Sequence, residues 1–212
     1  MPDENDKDKR MSNIAVFASG RGTNFSAIAR AVKSGKIKAN LALLVCDKPG
    51  APVIAKARRA GVKIALVQRE DFPSKEEFEQ KIVEHLDSHK IDLVALAGFM
   101  RMLGPTLLGS YKNKIINIHP ALLPVFKGSF AIKDAFEYGA KVTGVTVHFV
   151  DEKMDHGPVI LQSALKIEES DTAETLEAKI HKVEHKLYPE AIRLFLEGKL
   201  KLENRKVRIS SQ

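Results

Sequence analysis

The sequence lacks the features that mark a secreted or membrane-bound chain. Its 212 residues include one cysteine, Cys46, which excludes an intramolecular disulfide and a cysteine-rich zinc site. No uncharged apolar run approaches the roughly 18 residues that a membrane-spanning helix needs. The polar N-terminus, MPDENDKDKR, has no apolar core of the kind found in signal peptides. We therefore expect a cytoplasmic chain without a membrane partner.

Aromatic residues that could stack on bases are scarce, because tryptophan is absent and only three residues are tyrosine. The formal net charge of +7 suits an anionic partner of some kind, but the lysines and arginines are spread along the chain. A nucleic-acid module usually concentrates them on one face. We therefore expect small anionic molecules as partners, and no nucleic acid.

Short apolar, β-branched runs alternate along the chain with segments of helical spacing, and glycine and proline separate them. Strands are predicted at 14–19, 40–46, 63–67, 93–99, 115–119, 142–150 and 158–165. Helices are predicted at 24–34, 51–60, 74–88, 105–111, 130–138 and 172–196, and a hairpin at 200–209. The alternation predicts an α/β, Rossmann-like fold, with a mostly parallel twisted sheet and helices on both faces. We expect a flexible tail at 1–11 and a single domain at 12–212.

The segment SGRGTN, residues 19–24, follows the first predicted strand and opens the first predicted helix. Its glycines allow close approach of an anion to the N–H groups of a helix N-terminus, which Thr23 or Asn24 would cap. The dinucleotide-binding pattern needs a third glycine where Phe25 stands, although Asp47 ends the second strand as its ribose-binding acid would. The segment therefore favours a single phosphate, with a tight turn that binds nothing as the alternative.

The run INIHP, residues 116–120, places two polar side chains on one face of a predicted buried strand. Asn117 and His119 point one way, and the intervening isoleucines point the other. Strands of a parallel sheet are normally apolar on both faces, and ligands bind at their carboxyl ends. The pair is therefore a candidate functional site. Two hydrogen-bonded polar residues at a strand end remain the alternative.

A second polar segment, residues 151–157, joins the sixth and seventh predicted strands and carries Asp155. We expect Asp155 to reach His119, where a carboxylate would raise the imidazole pKa and keep the ring charged. An aspartate held in its own turn is the alternative.

The last predicted helix contains HKVEH, residues 181–185, which spells the inverted zinc-protease motif. That interpretation needs a third ligand, which the short segment after the helix does not readily supply. A surface helix with two histidines is the simpler interpretation.

Taken together, these segments resemble the phosphoribosylglycinamide formyltransferases, a family of folate-dependent formyltransferases of purine synthesis. The resemblance runs from about residue 13 to 202, and its motifs are SGRGTN, LAGFMRML, INIHPALLP and VHFVDEKMDHGPVI. It implies formyl transfer from 10-formyltetrahydrofolate, a co-substrate, to the amine of glycinamide ribonucleotide, without a metal. The enzyme would be a monomer or a homodimer. The N-terminal half would bind the ribonucleotide, and the C-terminal half would hold the folate and the catalytic groups.

The resemblance also implies roles for individual residues. The catalytic residues would be Asn117, His119 and Asp155. The ribonucleotide would contact Gly22, Thr23, Asn24 and Glu184. The folate would contact Lys75, Met100, Arg101, Met102, Leu103 and Asn117.

The sequence departs from the family's pattern in places. Lys75 stands where an arginine is frequent, Val125 where some relatives have a basic or small residue, and Phe130 where a histidine is common. These changes bear on the substrate cleft and not on the three catalytic positions.

Three other functions fit parts of the pattern. Methionyl-tRNA formyltransferases and formyltetrahydrofolate deformylases share the Asn–His–Asp site, but normally carry a further domain for which we expect no room here. A nucleotide- or nucleic-acid-binding module without catalysis is the alternative from another class.

Overall fold

The computed structural model describes residues 10–210, which form one seven-stranded sheet with helices on both faces and a separate two-stranded hairpin. The strands are β1 (Asn13–Phe17), β2 (Asn40–Cys46), β3 (Lys63–Leu66), β4 (Leu93–Leu96), β5 (Ile115–His119), β6 (Val142–Phe149), β7 (Val159–Lys166), β8 (Leu200–Glu203) and β9 (Lys206–Ile209). The helices are α1 (Thr23–Lys33), α2 (Pro52–Arg59), α3 (Lys75–Ser88), α4 (Pro105–Ser110), α5 (Ala131–Glu137) and α6 (Ala173–Leu196), with a 3-10 turn at Arg69–Asp71.

The strand order in the sheet is β3-β2-β1-β4-β5-β6-β7. The first five strands are parallel, whereas β6 runs antiparallel to β5 and β7 antiparallel to β6. The predicted fold class, mostly parallel and Rossmann-like, is therefore confirmed. Strand β7 is antiparallel to β6 because the connection between them is too short for a helical crossover.

Both faces of the central strands β1 and β4 are buried, which explains why these strands are almost entirely apolar. On β1, Ile14 and Val16 pack toward α1, α2 and α6, whereas Ala15 and Phe17 pack toward α3 and α4. On β5, Ile116 and Ile118 belong to the first face and Ile115 to the second. Asn117 and His119 therefore share the α3 and α4 face, as the alternation predicts.

Most element boundaries differ from the sequence-based prediction by one or two residues, and the end of β4 differs by three. Strand β4 ends at Leu96 rather than at residue 99, because Gly98 has a φ of 79° and turns the chain away from the sheet. The N-cap of α1 is Gly22, and neither Thr23 nor Asn24 caps the helix. Gly22 has a φ of 67°, and a Cβ there would collide with the side chain of Val53 on α2. Backbone conformation and close packing thus both require glycine at this position.

The predicted tail at 1–11 lies outside the described residues except for Arg10 and Met11. Arg10 donates hydrogen bonds of 2.8 and 2.7 Å to Asp92, which anchors this point of the chain beside the start of β4. None of the helices within residues 10–210 is both long and apolar enough to cross a membrane.

We expect Gly144→Ala to lower the free energy of unfolding by about 1–3 kcal/mol, because the new Cβ would collide with the Ser163 carbonyl on β7 and with Leu122. The control is Gly109→Ala in α4, where a Cβ meets nothing within 4 Å and alanine favours the helix by up to about 1 kcal/mol. Urea denaturation of both variants measures the difference. If Gly144→Ala were as stable as the wild type, the close approach of β7 and Leu122 to Gly144 would be contradicted.

Candidate active site

A cavity of about 180 Å³ opens on the α3 and α4 face of the sheet, beside β4 and β5. Its walls are the loop after β4, polar side chains of β5 and β6, and the β6–β7 loop, and they include Asn117, His119 and Asp155. All four residues of the predicted folate segment, 100–103, also line it. The structure thus brings the predicted catalytic residues and this segment into one cavity.

His119 is 4% exposed, and its Nε2 lies 2.7 Å from the main-chain carbonyl oxygen of Phe126. A carbonyl oxygen only accepts hydrogen bonds, so Nε2 carries a proton in this arrangement. Phe126 has a φ of 50°, in the left-handed region that a bulky residue rarely adopts. The loop after β5 therefore presents its carbonyl to His119 in a strained conformation.

Asp155 approaches His119 from the β6–β7 loop, with Oδ2 3.4 Å from the other ring nitrogen, Nδ1. The same oxygen accepts a 2.8 Å hydrogen bond from the main-chain N–H of Gly128. Asp155 lies in a turn of the β6–β7 loop with a φ of 46°, but its carboxylate bonds to a residue outside that turn. The carboxylate therefore joins the loops that follow β5 and β6.

A second histidine, His148, belongs to this cluster and was not singled out from the sequence. Its Nδ1 lies 2.7 Å from the Phe149 carbonyl oxygen, to which it donates. In the neutral ring Nε2 then accepts from the Asn117 amide nitrogen at 3.2 Å, which fixes the orientation of that amide. His148 Nε2 also lies 3.8 Å from Asp155 Oδ1. The available signal was a histidine on a buried apolar strand, but its partner depends on the antiparallel pairing of β6 with β5.

The expectation that Asp155 keeps His119 charged is corrected by the structure. Burial lowers the pKa of His119 more than the Asp155 carboxylate and the Phe126 carbonyl raise it, so the net pKa lies below 6.5. The expectation considered the carboxylate and overlooked the cost of burying an imidazolium. For Asp155, burial raises the pKa, but the adjacent His148, the hydrogen bond from Gly128 and the nearby His119 bring it below the usual value. Because Nε2 donates to Phe126, Nδ1 is the nitrogen that titrates, and it faces the Asp155 carboxylate; burial shifts this ring toward its neutral form.

The predicted ribonucleotide residues lie at the N-terminus of α1 and on α6, outside the wall of this cavity. Asn24 is buried, and its amide nitrogen donates to Glu184 Oε2 at 2.9 Å, whereas its Oδ1 has no hydrogen-bond partner. Burial raises the pKa of Glu184 to about 7 despite the hydrogen bond from Asn24. One turn further along α6, the Tyr188 hydroxyl donates to the carbonyls of Leu96 and Ile116, so α6 is fixed directly behind β4 and β5.

The remaining predicted positions lie elsewhere. Lys75 begins α3, with Nζ 3.9 Å from Glu79, and does not line the cavity. Val125 and Phe130 are 53% and 70% exposed on the loop that precedes α5.

In the HKVEH segment of α6, the rings of His181 and His185 are stacked 6.2 Å apart. Within residues 10–210 no three metal-binding side chains are grouped, so the zinc-protease interpretation has no third ligand.

We expect the His119 ring to titrate below pH 6.5, and in Asp155→Asn its pKa should fall further, because an attractive charge is removed. Nitrogen-15 NMR of the imidazoles measures both values. His85, on α3, is the internal control, and its titration should not change. A His119 midpoint at or above 6.5 would show that the carboxylate outweighs burial.

We expect the contribution of Glu184 to the free energy of unfolding to fall between pH 4.5 and about pH 7. In this window the unfolded protein releases the Glu184 proton and the folded protein retains it, so rising pH favours unfolding. At about 1.36 kcal/mol for each pH unit the loss is roughly 3 kcal/mol, and Glu184→Gln should abolish it. Urea denaturation across this range measures the slope, with the exposed Glu169→Gln as control. The same slope in wild type and Glu184→Gln would contradict a buried neutral acid.

The chain is similar to known proteins along most of its length. Residues 12–192 match the formyl transferase family. The phosphoribosylglycinamide formyltransferase of Bacillus subtilis is 51% identical over 186 residues, which are 88% of this chain and 95% of that protein. Glycinamide ribonucleotide transformylase 1 of Symbiobacterium toebii is 44% identical with a TM-score of 0.93 over 95% of each chain. The corresponding enzyme of Geobacillus kaustophilus is 53% identical with a TM-score of 0.85, over 88% of this chain and 99% of that one. The chain belongs to the formyl transferase family and is an enzyme of its phosphoribosylglycinamide formyltransferase group.

Proposed function

We propose that the protein transfers the formyl group of 10-formyltetrahydrofolate to the amine of glycinamide ribonucleotide, giving formylglycinamide ribonucleotide and tetrahydrofolate in de novo purine synthesis. The observation that carries the proposal is the carbonyl oxygen of Phe126 held 2.7 Å from Nε2 of His119, a residue of the cavity wall. This nitrogen binds an oxygen of the same chemical type as a formyl oxygen. We therefore place the formyl group where the Phe126 carbonyl now lies.

Attack of the neutral amine on the formyl carbon converts the carbonyl oxygen into an oxyanion. Asn117 and the Nε2–H of His119 are the donors proposed to stabilise it. Each fixed donor of this kind lowers the activation barrier by about 2.7–4 kcal/mol. His148 accepts one hydrogen of the Asn117 amide nitrogen and leaves its second hydrogen for the substrate. The strained conformation of Phe126 favours its displacement by substrate.

Transfer also requires that the attacking amine lose a proton and that the departing folate nitrogen gain one. His119 is neutral and Asp155 ionised, so the pair can accept a proton and release it again. The imidazolium formed in between is stabilised by the carboxylate 3.4 Å away. This role replaces the permanently charged His119 expected from the sequence.

The two substrates are proposed to enter from different parts of the fold. The phosphate binds the N–H groups at the start of α1, around Gly22 and Thr23, and the ribose hydroxyls contact Glu184 beside Asn24. A neutral Glu184 both donates and accepts hydrogen bonds, which suits a hydroxyl. The folate ring occupies the cavity beside 100–103, and Lys75 is the proposed contact of its acidic tail.

We expect Asn117→Ala, His119→Ala and Asp155→Asn each to lower kcat by about 10²–10³-fold while the protein stays folded and still binds ribonucleotide. The assay mixes protein, ribonucleotide and formyl-folate, and follows the folate product by absorbance. Matched controls are His85→Ala on α3 and Asp134→Asn on α5, which lie outside the cavity. A folded wild-type protein that forms no product would contradict the proposed reaction, and near-normal kcat in all three variants would contradict the proposed roles.

A further inference from the structure

The loop that joins β4 to α4, residues 97–104, is held from outside by buried polar side chains. The Met100 N–H donates to the hydroxyl of Ser19 at 3.1 Å. At the other end of the loop, the Gly104 N–H donates to Glu79 of α3, which also accepts from the Leu107 N–H at 3.2 Å. Ser19 and Glu79 are 5% and 2% exposed. Hydrogen bonds therefore fix both ends of the segment that lines the cavity.

Arg101 fixes the middle of the loop. Its Nε donates to Asp47 Oδ2 at 2.6 Å, and one of its terminal nitrogens lies 3.1 Å from Glu70 in the 3-10 turn. The guanidinium also lies 5.8 Å from the ring centre of Phe78 on α3. Burial lowers the pKa of Arg101, but the hydrogen bonds to the two carboxylates outweigh it and raise the pKa overall. Two anions thus compensate the single positive charge of Arg101.

Stability alone does not account for Asp47. Its side chain is 2% exposed, and burying a carboxylate is costly even when it is paired. Its second oxygen, Oδ1, is buried without any hydrogen-bond partner. An apolar side chain of similar volume would avoid both costs. What the carboxylate does provide is a fixed direction for Arg101, because the guanidinium donates from a rigid planar group.

We propose that Asp47 and Glu70 hold Arg101 as a positioning residue, which presets the 97–104 loop for the ring system of formyl-folate, and that Arg101 is not the cation that binds the acidic tail. The inference rests on the proposed function, and it deepens it by separating ring recognition from tail recognition. Lys153, in the cavity wall, and Lys75 then remain as cations for the tail carboxylates.

The two roles of Arg101 predict different responses to a co-substrate that has no tail. The experiment compares 10-formyltetrahydrofolate with 10-formyltetrahydropteroate, which lacks the glutamate, in Asp47→Asn, Arg101→Met and the double variant. A positioning role predicts that each single variant raises KM for both co-substrates by about tenfold, since a hydrogen bond between charged groups is lost. KM for the ribonucleotide should stay within about twofold, and the double variant should be no worse than the singles.

A direct contact between Arg101 and the tail predicts the opposite pattern. Arg101→Met would then raise KM for the glutamate-bearing co-substrate alone, and Asp47→Asn would leave that KM unchanged or lower it by freeing the cation. Either result would overturn the proposal.

Glu70→Gln keeps the test valid if loss of the buried Asp47 charge prevents folding. Glu70 is largely exposed, so its variant should fold and raise both KM values by about two- to threefold. The matched control is Asp71→Asn in the same turn, whose carboxylate accepts from Gln68 and should change neither value. Unchanged KM in Glu70→Gln and Arg101→Met would refute the positioning role. A wild-type protein inactive with both co-substrates would instead count against the proposed reaction.

Discussion

The antiparallel pairing of β6 with β5 is the constraint on which the site depends. It sets Asn117 opposite His148 and His119 opposite Thr146, so two strands contribute polar side chains to one face. The pairing of β7 with β6 is also antiparallel, so a short loop joins these two strands, and it brings Asp155 to His119.

Burial shifts the pKa values of the site's ionisable groups as strongly as their hydrogen-bond and charge partners do. His119 and Glu184 are both shifted toward their neutral forms by burial, and both can therefore donate as well as accept hydrogen bonds. Asp155 is the exception, because a main-chain N–H and two histidines outweigh its own burial. The arrangement supplies one anion beside a neutral base, which suits proton transfer better than two fixed opposite charges.

The sequence predicted the order and type of the described elements, because its apolar runs are buried on both faces and its glycines and prolines lie at the joins. It also predicted that Asn117, His119 and Asp155 would meet, partly through resemblance to a known family. It could not show His148, whose partner depends on strand direction, or the pKa of His119, which depends on burial. Asp47 suggested a ribose contact from its place after β2, but only the folded loop shows that Arg101 occupies its carboxylate.

The central claim is that the formyl oxygen replaces the Phe126 carbonyl at His119 Nε2 and also accepts a hydrogen bond from Asn117. The most direct measurement is a crystal structure with ribonucleotide and a non-transferring folate analogue that keeps a carbonyl oxygen at the formyl position. The account predicts that this oxygen lies about 3 Å from both the Asn117 amide nitrogen and His119 Nε2, with the Phe126 carbonyl displaced. A complex in which Phe126 still accepts from His119, and the analogue's oxygen contacts neither donor, would contradict it.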